Sequence, residues 1–536
     1  MDDITAGAAK IDLEKFRLRR FVERLIDLGE VEIHEEPVPL AGLSTIIEAT
    51  DKAVLFRKAG PERVEMVAGT AGNYRRLAAA FGTSEDKLHA EYSRRLGQMQ
   101  PLIEVPSDEA PVHAIKITGK DVDLARLPFH PQHALDGSCY LSAAIDYTID
   151  PTTGRRNVGC RRLSLRNRYE TGTNVTAPSD LKRIYTACVA RGERLPVTFT
   201  VGAHPLDFIA ATTRQPVDEL ALVANFRGEP APVVKSLTND ILVPADAEIT
   251  LEGYLDERGY AEPEGPYGEY MGYYGAIHMD PVFHCTAITM RRDALHHTLL
   301  HGSAFVLDRA DASVLIGLGA EAQALKILRA AVAEPVAVHL RTMAGAGTLR
   351  VAIRKRHDGE PRAAIEALLR EVVRFKSVYV FDDDIDIRND GHVEWALGTR
   401  FQADQDLVVL PGLQGQTMDP SLNGRRTGAK TGYDCTKPLN RADDITYMRS
   451  AARVFAGPAR FQTVEQALAS SGPMFFTDVV QSLGSDDGRE VACALDALRQ
   501  AGRLGRDGDG RYQLVDGKPG VTTIVGELHH DPNEGA

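Results

Sequence analysis

Hydrophobic positions along the first three hundred residues follow two different periods. From Leu13 to Leu28, apolar residues recur at helical spacing with charged residues between them, and a short strand-like segment begins at Ala53. Beyond residue 110 the period shortens to that of strands, and Pro, Gly and Asp turns separate the apolar runs. We therefore expect an N-terminal α/β region over residues 1–110 and a β-rich domain over residues 111–310.

The remainder of the chain changes character at Pro458. Strand and helix patterns alternate over residues 311–457, which predicts a layered α/β domain with a largely parallel sheet. Over residues 458–536, three short helical patterns precede a polar, hairpin-like stretch, which predicts a winged-helix-like extension. The predicted fold class is α+β with several domains.

Composition and charge narrow the range of functions. The chain has 536 residues, of which 43% are hydrophobic. That is too long for one core, so about two to four domains are expected. The net charge of −13 argues against general binding to nucleic acid or to an anionic membrane surface.

Cysteine usage and the start of the chain indicate the compartment. The six cysteines form no CxxC pair, which favours free thiols in a reducing compartment over disulfides or a zinc site. The first twenty residues lack the apolar core of a signal peptide, and no run approaches the roughly 18 apolar residues of a membrane span. We expect a cytoplasmic protein without a membrane segment.

Two acids flank a Gly-Pro turn in the segment from Glu264 to Gly275. Such a turn can direct Glu264 and Glu269 to one place. Two carboxylates held close do not both ionise easily, so one pKa is expected to rise and that group to carry a proton for acid catalysis. The tyrosines around the turn (Tyr267, Tyr270, Tyr273 and Tyr274) could line the wall of a pocket for a flat substrate. The alternative is a solvated acidic loop.

A strand in the β-rich domain carries an amide and two guanidinium groups. The segment begins at Asn157 and includes Arg161 and Arg162, and an arginine fork suits either a substrate carboxylate or a catalytic Glu. Because successive side chains of a strand face opposite sides, at most one of the two arginines is expected to enter a site. The alternative is an exposed edge strand.

Together these two segments resemble the UbiD family of decarboxylases. The shared pattern is Asn157 and Arg162 on one strand, followed about a hundred residues later by Glu-Gly-Pro-Tyr-Gly-Glu at 264–269. Further blocks in family order extend the resemblance over about residues 15–450. It implies a central split β-barrel of the flavin-reductase kind, a small N-terminal α/β region and a C-terminal α/β domain that joins protomers.

The resemblance also implies roles for individual residues. Arg162, Glu264 and Glu269 become the catalytic set, with Glu269 as proton donor. The implied cofactor-binding residues are Asn157, Val158, Gly159, Cys160, Arg161, Arg162, Ser179, Asp180, Glu219 and Lys430.

Within this set, Asn157 and Glu219 match metal ligands, and Asp180 stands where the family has a His. A carboxylate suits Mg²⁺ or Mn²⁺, but Asp180 could instead cap a helix over Leu181 to Arg191. Lys430 matches a lysine that contacts the cofactor phosphate, and its alternative is an ordinary surface lysine.

The implied activity is the reversible, non-oxidative decarboxylation of an aromatic, heteroaromatic or α,β-unsaturated acid through a covalent adduct with prenylated FMN. A divalent metal, Mn²⁺ or Mg²⁺, accompanies the cofactor, with K⁺ as a further candidate ion. The implied partners are a small aromatic acid and CO₂, a flavin prenyltransferase that supplies the cofactor, and further copies of the chain in a homodimer or larger homo-oligomer.

Two other functions stay open at this point. A split barrel could bind ordinary FMN and act as a reductase, which would have no use for the Glu-Arg-Glu set. Alternatively, the terminal segment could make the chain a ligand-sensing regulator that binds DNA. The helix predicted from Arg489 to Arg503 contains Glu490 and Asp496 beside three arginines, so its attraction to phosphate is expected to be weak.

Overall fold

The computed structural model describes residues 4–6, 11–299, 309–332, 334–341, 347–441 and 445–526. The chain forms two compact units. One comprises Met1–Ala396 and Phe401–Cys435, and the other comprises Leu397–Arg400 and Thr436–Ala536. The finer division into four segments stays a prediction.

The N-terminal region mixes helices and short strands, as the two hydrophobic periods predict. The helix expected from Leu13 begins at Leu18 and buries Phe21, Val22 and Leu25, and the predicted strand does begin at Ala53. The elements are β1 (Ile4–Ala6), α1 (Leu18–Asp27), β2 (Val31–His34), α2 (Leu43–Glu48), β3 (Ala53–Ala59), β4 (Val64–Ala68), α3 (Tyr74–Phe81), α4 (Leu88–Leu96) and β5 (Leu102–Glu104).

The middle of the chain supplies most of the strands. In chain order the elements are β6 (Ile115–Thr118), β7 (Tyr140–Ile149), β8 (Arg156–Leu165), β9 (Glu170–Thr173), α5 (Asp180–Ala190), β10 (Leu195–Val201), α6 (Pro205–Thr212), α7 (Glu219–Arg227), β11 (Ala231–Lys235), β12 (Leu242–Pro244), β13 (Ile249–Leu255), β14 (Glu262–Glu264), β15 (Tyr267–Gly268), β16 (Tyr274–Gly275), β17 (His278–Asp280), β18 (Val282–Met290) and β19 (His296–His297).

Six of these strands close into a barrel. The order is β13-β10-β7-β8-β9-β18, and β18 pairs back onto β13. Side chains alternate between the two faces of each strand. Leu163, Phe199 and Phe283 pack in one core, whereas Ala143 and Ile145 belong to a second core that includes residues of α6 and α7. A closed barrel at the centre of an α+β fold agrees with the predicted class.

The third region has a five-stranded sheet. Its elements are α8 (Asp311–Ala331), β20 (Pro335–Arg341), β21 (Gly347–Ile353), α9 (Glu360–Glu371), β22 (Phe375–Asp382), α10 (Asp390–Arg400), α11 (Ala403–Asp406), β23 (Leu407–Gln414) and β24 (Thr427–Cys435). The order is β20-β21-β22-β24-β23, and only the pairings of β22 with β21 and with β24 are parallel. The expected largely parallel sheet is therefore wrong: both edge pairings are antiparallel. The link from β20 to β21 is too short for the crossover that a parallel pair needs.

The second unit has a core of its own. Its helices are α12 (Val464–Ser471), α13 (Phe476–Leu483) and α14 (Arg489–Gln500), and its strands are β25 (Leu504–Asp507), β26 (Tyr512–Leu514) and β27 (Thr523–Val525). Leu468, Val480 and Leu495 are buried in the shared core. Three helices before a small sheet match the predicted element order, while the winged-helix assignment stays a prediction. Across the described ranges, no helix combines the length and apolarity that a bilayer crossing requires.

Candidate active site

Three elements bring the predicted catalytic side chains together. Arg162 lies on β8, Glu264 ends β14, and Glu269 follows β15. Arg162 Nε and Nη2 each donate to one oxygen of Glu264 at 3.0 Å, and Nη1 donates to Glu269 Oε1 at 2.9 Å. Between the acids, Gly265 adopts a φ of 96°, which few residues other than glycine tolerate. The guanidinium thus binds Glu264 with both arms and Glu269 with one.

The position of Arg162 is set by aromatic packing as well as by the acids. Its guanidinium carbon lies 4.2 Å from the ring centroid of Tyr267, a cation–π contact. The Tyr267 hydroxyl donates to Gln132 Oε1 at 2.6 Å, which holds the ring in place. Burial acts to lower the pKa of Arg162, but Glu269 and Glu264 raise it above its ordinary value. Arg162 is therefore a permanent cation between two carboxylates.

The two acids differ in burial and in charge. The Glu264 side chain is 1% exposed and the Glu269 side chain 13% exposed. Burial acts to raise the pKa of Glu264, but hydrogen bonds and charge from His278 and Arg162 lower it to about 2. The pKa rise that we expect for one of the two acids therefore does not fall on Glu264, because a cation faces each side of its carboxylate.

Sequence reasoning missed His278 and Asp280. Strand β17 pairs with β14 so that Glu264 lies opposite His278. His278 Nε2 is 3.0 Å from Glu264 Oε2 and 3.3 Å from Asp280 Oδ1. A signal was available, because the two residues follow the Gly-Pro turn at the distance of a returning hairpin strand. Among the described residues, Glu264, His278 and Asp280 form a group whose possible ligand atoms lie close enough together to share a cation.

A second cluster occupies the start of β8. Asn157 Nδ2 donates to Asp146 Oδ2 at 3.3 Å, and Glu219 accepts a hydrogen bond from the Val158 amide at 2.8 Å. Burial is the largest cause that raises the pKa of Glu219 to about 7; the Val158 N–H lowers it, and the charges of Asp180 and Asp146 raise it. Asp146, on β7, was not predicted.

The carboxylates of this second cluster fit a divalent cation. The charges of Asp180 and Asp146 both act on Glu219 as repulsion, which the charge of Arg214 only partly offsets, and Arg161 Nε lies 3.3 Å from Asp146 Oδ1. Carboxylate and amide oxygens are the ligands that Mg²⁺ and Mn²⁺ prefer. A bound divalent ion would relieve this repulsion, so the chemistry of the residues agrees with the predicted metal site.

The cap reading of Asp180 is wrong. Helix α5 begins at Asp180, and Ser179 is the capping residue, since its Oγ accepts a hydrogen bond from Lys182 N at 3.2 Å. The Asp180 side chain is 54% exposed and lies 3.4 Å from Arg183 Nε. Asp180 is therefore free of a capping role.

One large cavity joins the two clusters. Its volume is about 1790 Å³, well above the roughly 300–1,000 Å³ of ordinary small-molecule pockets, which leaves room for a flavin and a substrate together. Many of the predicted cofactor and catalytic residues line it, namely Asn157, Val158, Gly159, Cys160, Arg161, Arg162, Ser179, Asp180, Glu219 and Glu269. Tyr267, Tyr270 and Tyr273 line it as expected. The Tyr274 hydroxyl instead accepts a hydrogen bond from Leu135 N at 3.1 Å.

Arg161 and Arg162 both line the cavity, so the expectation that at most one would enter is wrong. The register between β7 and β8 shifts between Leu141 and Ala144, which leaves two residues of β7 opposite Arg162. Such a bulge redirects side chains that strict alternation would place on opposite faces.

Lys430 lies apart from the other predicted cofactor residues. It is on β24, where its ammonium donates to Leu369 O at 3.0 Å and to Val372 O at 2.8 Å. Burial lowers its pKa to about 8. In this arrangement Lys430 binds two main-chain carbonyls at the C-terminal end of α9. The side chain is buried and is not part of the cavity lining.

Comparison with known proteins agrees with this geometry. Family models for the 3-octaprenyl-4-hydroxybenzoate carboxy-lyase Rift-related domain and for the C-terminal domain of the same family match residues 103–304 and 313–435, more than half of the chain. The anhydromevalonate phosphate decarboxylase of Methanosarcina mazei is 29% identical over 430 residues, which cover 78% of this chain and 96% of that protein.

Solved structures give the same result. The UbiD-class enzyme HmfF of Pelotomaculum thermopropionicum, solved with FMN, has a TM-score of 0.75 and 31% identity over 81% of this chain and 97% of its own. An evolved dimeric form of HmfF, solved with prFMN, has a TM-score of 0.73 and 28% identity over 82% of this chain and 97% of its own. With the Arg162, Glu264 and Glu269 set assembled beside the barrel, these matches show that the chain belongs to the UbiD family of carboxy-lyases.

Proposed function

We propose that this chain removes the carboxyl group of an aromatic, heteroaromatic or α,β-unsaturated acid, with prenylated FMN as cofactor and Glu269 as the proton donor. One observation carries the proposal: Arg162 joins Glu264 and Glu269 beside a cavity that also reaches the carboxylate cluster of Asp180 and Glu219. The solved neighbours that hold FMN and prFMN support the choice of cofactor.

The carboxylate cluster would hold the phosphate end of the cofactor. Asn157, Asp180 and Glu219 would bind Mn²⁺ or Mg²⁺, which in turn would bind the phosphate. Ser179 and Arg161, whose Oγ and Nη2 lie 3.5 Å apart, are further donors at that end of the cavity. When bound, prenylated FMN supplies the electron sink that side chains lack for losing CO₂ from an sp² carbon.

Arg162 and Glu269 would carry out the proton transfer. Of the two acids, Glu269 is the one that lines the cavity, so it can reach the carbon that loses CO₂. Its contact with Arg162 fixes the direction of the carboxyl, and the opening of the cavity lets it recover a proton from solvent. Tyr267 and Tyr273 narrow this part of the cavity and would keep a flat substrate aligned.

A second class of substrate is favoured by a different part of the cavity. Lys326 and Arg329, on α8, line it, and neither forms an ion pair within the described ranges. One relative is named for a phosphorylated substrate. Two unpaired cations would suit an acid that carries a phosphate, in place of a purely aromatic one.

The test is to produce the full chain with and without a flavin prenyltransferase and to supply aromatic acids and phosphorylated unsaturated acids in parallel. We expect release of CO₂, and entry of solvent deuterium into the product, only after co-production with the prenyltransferase. Full occupancy by unmodified FMN together with oxidation of NADH would instead support a reductase. The homo-oligomer is tested on the same preparation by its mass in solution.

A further inference from the structure

Glu264, His278 and Asp280 meet at a single nitrogen atom. The pairing of β14 with β17 brings Glu264 opposite His278, and Asp280 follows two residues later on the same side of the strand. Glu264 Oε2 and Asp280 Oδ1 lie 3.0 Å and 3.3 Å from His278 Nε2. The Asp280 side chain is fully buried, and beyond this ion-pair contact neither of its oxygens has a hydrogen-bond partner within the described part of the chain.

The other ring nitrogen restricts where hydrogen atoms lie. His278 Nδ1 is 2.9 Å from Ala276 O, and a carbonyl oxygen only accepts, so Nδ1 carries a hydrogen. In the neutral ring Nε2 would then have a lone pair. If both carboxylates were ionised as well, three acceptors would converge within 3.3 Å without a hydrogen atom between them. The geometry therefore requires a proton, or another cation, at this point.

The groups around Glu264, His278 and Asp280 are compatible with one proton that either His278 or Asp280 can carry. Arg162 contacts the far side of Glu264, and Tyr260 contributes a neutral hydroxyl near Asp280. Asn174 Nδ2 lies 3.2 Å from His278 Nε2, while its oxygen accepts from Thr176. An N–H donor beside Nε2 tolerates the neutral ring, so the proton can rest on His278 or on Asp280.

We propose that Glu264, His278 and Asp280 hold one proton in common, and that this proton keeps Glu264 ionised as the fixed anchor of Arg162, so that Glu269 is the carboxyl that changes protonation. His278 and Asp280 are then positioning residues. The link to Glu269 rests on the proposed function, whereas the shared proton does not.

The balance of charge explains how the shared proton would help Glu269 to take up a proton. With the proton on His278, two cations (Arg162 and His278) face three carboxylates (Glu264, Glu269 and Asp280). Protonation of Glu269 makes the group neutral, so the site accepts that proton without burying excess positive charge. Hydrogen bonding of the ring to the carboxylates of Asp280 and then Glu264 raises the pKa of His278 to about 10, in agreement with a charged ring.

The experiment is a pH titration of the histidine rings of the full, flavin-free chain by carbon and nitrogen NMR. His278→Gln identifies the His278 signal by its loss. We expect the wild-type ring to stay protonated beyond pH 8, and Asp280→Asn to lower its midpoint by at least one pH unit.

His284 provides a matched control. It pairs with Asp256 at 2.8 Å and Glu170 at 3.2 Å and is 25% exposed, against 24% for His278, but these acids do not contact Arg162 within the described structure. In the loaded enzyme, His278→Gln should lower kcat at least ten-fold and move the pH profile, with little change in KM. His284→Gln should do neither.

Three results would overturn the proposal: a His278 ring that titrates near 6.5, a midpoint unaffected by Asp280→Asn, or one equivalent of Zn²⁺ or Mn²⁺ that binds the flavin-free chain and is lost in His278→Gln. The last would show that a metal ion takes the place of the proton. If the ring stays charged but no acid releases CO₂, the shared proton is supported and the proposed function fails.

Discussion

Strand β8 carries a different balance of charge at each end. At Arg162 the protein supplies the cations itself, so the Glu264 carboxylate is stabilised and its pKa falls to about 2. Five residues earlier, around Asn157, burial is the largest cause that raises the pKa of Glu219 to about 7, and the charges of Asp180 and Asp146 add to it. In the first cluster neighbouring cations stabilise the ionised carboxylate, whereas in the second burial and like charge destabilise it, and an added cation would relieve that repulsion. In the proposed function, the first cluster would do the chemistry and the second would hold the cofactor.

Replacing the proton donor should give the largest effect. Glu269→Gln keeps the size of the side chain but removes its acidic proton, so we expect kcat to fall by about 10²–10⁴-fold. The measurement is CO₂ release together with deuterium entry into the product. Glu262→Gln, which changes an acid at the other end of β14, should leave both rates unaltered. Full turnover in Glu269→Gln would remove this residue from the mechanism.

The charge of Glu264 predicts a pH dependence of stability. Its pKa falls from the ordinary 4.5 to about 2 on folding. Its ionised form therefore stabilises the fold above about pH 4.5, and this contribution of about 3 kcal/mol is lost as the pH falls from 4.5 towards 2. Denaturant unfolding at several pH values should show a steeper acid loss for the wild type than for Glu264→Gln. Parallel curves for the two proteins would contradict the assignment, and Glu262→Gln should follow the wild type.

We expect the second cluster, around Asn157 and Glu219, to gain stability when a divalent metal ion is added. Mn²⁺ at a hundred times its Kd is expected to raise the free energy of unfolding of the flavin-free chain by about 2.7 kcal/mol. Glu219→Gln should abolish this gain, and Asp180→Asn should reduce it if Asp180 is a ligand. Thermal unfolding with and without a chelator measures the gain. An equal gain in wild type and Glu219→Gln would place the ion elsewhere.

We expect the smallest effect at the start of α5, where two substitutions distinguish helix capping by Ser179 from metal binding by Asp180. Ser179→Ala removes the oxygen that accepts from Lys182 N, which should cost about 1 kcal/mol of stability in metal-free buffer. Asp180→Ala should cost about 0.5 kcal/mol there, because it removes a charge that favours the helix N-terminus and an exposed ion pair with Arg183. A larger loss for Asp180→Ala without metal would mean that its carboxylate has a structural role.

Much of the fold and of the site was predictable from local pattern. The alternating apolar runs from residue 111 predict strands, and the family motif identifies Arg162, Glu264 and Glu269 as one set. The barrel and the contact between these three side chains agree with both expectations.

Other features could not be predicted because they depend on pairing between distant segments. Asp146 meets Asn157 only because β7 lies beside β8, and the bulge opposite Arg162 is a property of that pairing. Likewise, the acidic shift in the pKa of Glu264 follows from His278 on a neighbouring strand. A change of one residue in register would give each of these side chains a different neighbour.

The sequence by itself determined which chemical groups this protein possesses and how far apart they lie along the chain: a guanidinium, two acids around a Gly-Pro turn, and the amide and carboxylate oxygens of the second cluster. Only the tertiary structure decided which of these groups are buried together, where the dielectric constant is low. Protonation depends on burial and on charges a few ångströms away, and these neighbours come from strands that are far apart in sequence.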